Sequence, residues 1–167
     1  MAKTSPGTGR KFRVDSGFTF IELIICISIL GILAALGGSK MQAYFEQSKE
    51  SETTADLQLI SDKLKAIAME NPDALPDDLG AFTAKAGLPM VDPWGHPYQY
   101  LRLYDRPGNE NDARKDHNFH PINSDFDLYS MGPDGKSNKP LTSGPSRDDI
   151  IRANDGAFIG KASAYDP

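Results

Sequence analysis

Three groups of residues have the types and spacing to do chemistry. The first lies in "GFTFIELIICISILGILAAL", Gly17 to Leu36, where Glu22 is the only charged side chain. A carboxylate within a membrane-grade helix costs on the order of 3 kcal/mol unless it is paired or reaches water. Glu22 therefore either sits near an interface or awaits a cation from another copy of the chain. Cleavage after Gly17 would make such a cation, because the new α-amino group on Phe18 lies one helical turn from Glu22. The second group is Asp134, Asp148 and Asp149, separated by loop residues rich in Gly, Pro, Ser and Lys. Hard cations such as Ca²⁺ take about six to eight oxygens from carboxylates, carbonyls and water. A loop that folds back could gather these three carboxylates, although the spacing is not that of an EF-hand. The plain alternative is an ordinary "PDG" turn and a solvated or capping "DD" pair. The third group, His96, His117 and His120, is weaker, since "HNFHP" reads as loop and ends in proline. No nucleophile elbow, phosphate loop or "HExxH" is present. The single cysteine, Cys26, lies inside the apolar run and reads as a small hydrophobe. No catalytic set emerges, and the chain reads as a non-enzyme.

The elements that must position these residues follow from composition. The chain has 167 residues, 39% hydrophobic and 25% charged, which suits one modest domain with an appendage. Residues 1–17 carry Lys3, Arg10, Lys11 and Arg13 against Asp15, so the rest is more acidic than the whole chain's net charge of −5. That balance argues against binding nucleic acid, which needs clustered Lys and Arg. A basic leader before an apolar run is a membrane-targeting pattern. An ordinary signal-peptidase site at "LAALGGS" is disfavoured, because helix-compatible sequence runs on past it and a small polar site, "DSG", precedes the run instead. Phe18–Ser39 is long enough as a helix, ~33 Å, to cross a bilayer core. The leader's charge predicts a cytoplasmic N-terminus with the rest exported.

After Lys40 the pattern becomes amphipathic. Met41, Tyr44, Phe45 and Ser48 share one face, and Leu57, Ile60, Leu64 and Ile67 repeat at helical spacing. The helix is predicted to run to Glu70 and to stop at "NPDALPDD". Residues 71–93 read as loop, with a short helix over Leu79–Ala86. "YQYLRLY" and "DFDLYSM" alternate as strands, and Trp94 and the tyrosines read as packing. Residues 106–124 read as a long exposed loop, and no strand is predicted beyond Met131. The expected fold class is α+β. A leader, 1–17, precedes a transmembrane and assembly helix, 18–39, and an amphipathic helix, 40–70. These lead into a head, 71–167, with a small antiparallel sheet and a C-terminal tail.

"GFTFIE" followed by "ILGILAAL" resembles the processing site of the type IV pilin and pseudopilin family. The resemblance implies cleavage by a prepilin peptidase after Gly17, N-methylation of Phe18 and a role for Glu22 in adding subunits to a filament. Ser39 stands where family members often have proline, with Gly37 and Gly38 beside it as a source of flexibility. "DPWGHPYQY" and "DFDLYSMGPDG" are similar to the head of major pseudopilins of type II secretion systems. The lack of a C-terminal cysteine pair also favours them over a type IV pilus major pilin. A membrane-anchored periplasmic enzyme or binding domain is the alternative of another class. The resemblance implies a helical homopolymer, with minor pseudopilins and an inner-membrane secretion platform as further partners. It implies a single-pass inner-membrane location, with membrane contact before assembly and the head in the periplasm. It also implies structural Ca²⁺ in the 131–149 loop, on Asp134, Asp148 and Asp149 with the Met131 carbonyl. The loop is longer here than the family pattern.

Overall fold

The computed structural model describes residues 17–166, by backbone alone over 36–40. The leader, residues 1–16, lies outside the described residues. Helix α1 runs from Phe20 to Glu70. The chain divides into two compact units, one ending at Gln42 and the other beginning at Ala43.

In the first unit the described side chains of α1 are exposed throughout. Phe20, Ile21, Leu30 and Ile32 all expose more than half of their surface, so this stretch has no covered face. Ser28, polar in an apolar segment, donates its hydroxyl to the Ile24 carbonyl at 2.7 Å and so needs no outside partner. Among the described residues, no helix is long and apolar enough to cross a membrane.

The second unit is built on the rest of α1. Thr53, Leu57, Ile60, Ser61 and Leu64 are buried, with the three- and four-residue spacing of one helical face. The helix stops at Asn71-Pro72, where Asn71 caps a short 3-10 turn by accepting from the Asp73 N–H. Helix α2, Leu79–Ala86, is capped by Asp78 and closed by Gly87 in the left-handed region.

The sheet is a four-stranded antiparallel meander in the order β1 (Gln99–Arg102), β2 (Phe126–Ser130), β3 (Ile150–Ala153), β4 (Phe158–Lys161). Strand alternation separates its two faces. Phe126, Leu128 and Ile150 join Leu57, Ile60 and Leu64 in the main core, with Tyr100 and Ile159 beside them. Ile151 and Ala153 form a second core with Ile122, Leu141 and Ala162 from the loops, against Tyr129 and Phe158.

Two sequence expectations need correction. The region past Met131 supplies half of the sheet, β3 and β4. "IIRA" escapes an alternation test because it is four residues long and buries its arginine: Arg152 reaches Ser61 of α1 (2.9 Å), both carboxylate oxygens of Asp125 (2.7 and 2.6 Å) and the Phe126 carbonyl (2.9 Å). Its guanidinium also lies 4.0 Å from the Phe126 ring centre. The 106–124 segment is not simply exposed. Ala113, Arg114, Asp116, Ile122 and Asn123 are buried; Arg114 and Asn123 find partners on the sheet's second face, and Ile122 joins the second core.

Candidate functional site

At the N-terminal end, "TFIE" sets the start of α1. The Glu22 carboxylate accepts from the Thr19 N–H at 2.9 Å and from the Thr19 hydroxyl at 2.8 Å, while the Glu22 N–H points back to that hydroxyl at 3.3 Å. This is a capping box, which satisfies N–H groups that a helix start leaves without partners. Gly17 and Phe18 precede the helix outside any regular element, and Phe18 exposes 82% of its surface. The Gly17–Phe18 bond and the acid are thus separated by Phe18, the capping Thr19 and the first two residues of the helix. The T-x-x-E pattern is visible in the sequence, yet Thr19 was not among the residues expected to matter.

The head is tied to α1 by polar contacts around "DPWGHP". Asp92, buried, accepts from the backbone N–H groups of Trp94 (3.1 Å) and His96 (2.8 Å) and from the Ser130 hydroxyl (2.6 Å). One carboxylate therefore shapes the turn and anchors it to β2. Trp94 Nε1 donates to Glu46 of α1 at 2.8 Å, and the Tyr98 hydroxyl donates to Asp56 at 2.8 Å. Lys161 at the end of β4 reaches Glu50 at 2.6 Å. His96 Nδ1 lies 3.0 Å from the Gly132 carbonyl, so its place is under the "GPDG" turn.

The 131–149 loop contains the four residues expected to bind calcium. Met131 is half-buried at the end of β2 and Asp134 is exposed. The Asp134 carboxylate turns into its own loop, accepting from the Lys136 N–H at 2.8 Å. Asp148 is half-buried beside Gly132, where an added Cβ would come within 2.5 Å of the Asp148 carbonyl oxygen. Asp149 is fully buried and ion-paired to Arg114 at 2.6 Å. Among the described residues, no three His, Cys, Asp or Glu side chains converge into a group that could hold a metal. Of the three carboxylates, Asp149 is engaged by a cation of the chain itself, Arg114. Arg114 and Ser137, which contact Asp149, carried no signal in the sequence.

An apolar helix with one acid at its capped start, continuing into a half that packs on a four-stranded meander, defines a pilin-like subunit. Residues 12–38 match the prokaryotic N-terminal methylation motif. The chain is 33% identical to the type II secretion system core protein G of Pseudomonas aeruginosa over 141 residues, covering 74% of this chain and 87% of that protein. It is 29% identical to the Aeromonas hydrophila protein of the same name, covering 75% and 87%, and 24% identical to that of Vibrio cholerae, covering 76% and 86%. The chain belongs to the type II secretion system core protein G family. No solved structure matches.

Proposed function

We propose that the chain is a structural major pseudopilin, which polymerises into a periplasmic filament that drives type II protein secretion. The observation that carries this reading is the described apolar stretch of α1. It has no covered face in a single copy and bears one acid at its start. A helix that is apolar all round belongs in lipid or among other helices. Before assembly the lipid of the inner membrane covers it, in a single pass with the head in the periplasm. After assembly the helices of neighbouring copies do. Phe20–Ala35 alone is shorter than the ~20 residues of a full span, so the membrane reading draws also on the leader and on residues 36–40.

Prepilin peptidase removes the leader after Gly17 and methylates Phe18. The new amine then lies within a helical turn of a carboxylate, and Glu22 of one copy meets the Phe18 amine of the next during addition. Minor pseudopilins and the inner-membrane platform complete the assembly. Co-expression with prepilin peptidase, followed by mass spectrometry of the N-terminus, tests the processing step. The expected product begins with methylated Phe18, and an intact leader or a cut near Ser39 would sink the proposal. Glu22→Ala is expected to insert in the membrane but to yield few filaments.

A further inference from the structure

Asp149 sits at the base of β3 with none of its surface exposed. A carboxylate in that position must be paired or coordinated, because an isolated buried charge is too costly. Its Oδ2 accepts from Arg114 Nη2 at 2.6 Å and from the Ser137 hydroxyl at 2.5 Å. Arg114 Nη1 in turn donates to Ser137 Oγ, which closes a three-membered ring of donors and acceptors. Arg114 is held from two further sides. Its guanidinium lies 4.2 Å from the Tyr129 ring centre, and its backbone N–H donates to Asp127 Oδ2 at 2.6 Å. Asp127 also accepts from Asn123 at 2.8 Å. One guanidinium thus joins the 106–124 segment, strand β2 and the end of the 131–149 loop.

Two buried side-chain atoms in this cluster lack a partner, Arg114 Nε and Asp149 Oδ1. One is a donor and the other an acceptor, and they belong to the same ion pair. They are the atoms that would complete a side-on, two-pronged contact between a guanidinium and a carboxylate. The open valence at Asp149 is therefore matched by one on Arg114. A divalent cation on Asp149 would also lie close to a buried positive charge, which repels it.

We propose that Arg114 is the built-in cation of this loop: its guanidinium holds Asp149 and closes residues 131–149 onto the sheet without a divalent metal. The 106–124 segment is what carries this cation into place.

The test uses the full chain in detergent, with unfolding followed by the fluorescence of Trp94, the single tryptophan. The wild-type midpoint is expected to be the same in millimolar calcium and in excess chelator. A bound calcium at a hundred times its Kd would raise the midpoint by roughly 10 °C, and such a rise overturns the proposal. Arg114→Met is expected to lower the midpoint by roughly 10 °C, because it strands a buried carboxylate. Arg114→Met combined with Asp149→Leu is expected to recover at least half of that loss. An Arg114→Met chain as stable as wild type, or a double variant no better than the single, also overturns it. Should Arg114→Met fail to fold, recovery of the fold in the double variant and the wild-type calcium titration still decide.

Discussion

Thr19 and Glu22 close on each other at the start of α1, with the Glu22 carboxylate taking both the N–H and the hydroxyl of Thr19. The acid therefore has a local structural role before any second copy arrives. Capping and charge can be separated by substitution. Glu22→Gln keeps the side-chain acceptor of a capping box and removes the charge, whereas Thr19→Ala keeps the charge and loosens the helix start by ~1 kcal/mol. If charge drives subunit addition, filament yield by sedimentation falls several-fold in Glu22→Gln and only modestly in Thr19→Ala. Equal yields for Glu22→Gln and wild type would assign Glu22 to capping alone.

Among the described residues Arg152 is the largest fully buried side chain, and it fastens Ser61 of α1 to Asp125 and the β2 backbone. Breaking a buried pair from one side costs ~3–5 kcal/mol. Arg152→Met is expected to lose that much in urea unfolding, and a loss below ~1 kcal/mol would show that the contact is dispensable.

Ile60 and Leu59 are neighbours on α1, yet Ile60 is fully buried and Leu59 is 45% exposed. Ile60→Ala is expected to cost ~2–5 kcal/mol and Leu59→Ala no more than ~0.5 kcal/mol. Similar losses at both positions would contradict the helical face assigned here.

Burial pushes the Asp149 carboxyl up to about 6, against the opposing pull of Ser137 and Arg114. The folded chain thus holds this proton more tightly than the unfolded chain. The group's contribution to stability is full below about pH 4 and is lost as pH rises towards 6. Arg114→Met removes one of the two pulls, so the carboxyl rises further and its loss continues to higher pH. The stability gap between wild type and Arg114→Met is expected to stay level below about pH 6 and to widen above it. Urea midpoints measured from about pH 5 to 8 check this, and a constant gap would contradict it.

Much of the fold was legible because its signals were local. The three- and four-residue spacing of Leu57, Ile60 and Leu64 gave the packed half of α1, and the prolines after Glu70 gave its end. "YQYLR" and "DFDLYS" alternate because one side of each strand meets α1. The same alternation misled at the loop. Asp127 and Tyr129 face away from α1, and nothing in the sequence says that Arg114 covers them. A segment rich in charge reads as solvated unless its partners are known, and these partners lie between 13 and 35 residues away. The pairing of Asp149 was hidden for the same reason: spacing placed Asp148 and Asp149 near the turn, but gave no sign of the arginine that reaches Asp149. The capping box was readable at Thr19 and Glu22, yet the apolar context drew attention to membrane cost instead.

The meander leaves β1 and β4 as its outer strands, each four residues long. An unpaired strand is a template on which another chain can add, and brevity is one of the ways proteins blunt it. For a chain proposed to join its copies through α1, two short rims restrict a competing route of growth. The head can then be brought to high local density along a filament without its sheets fusing edge to edge.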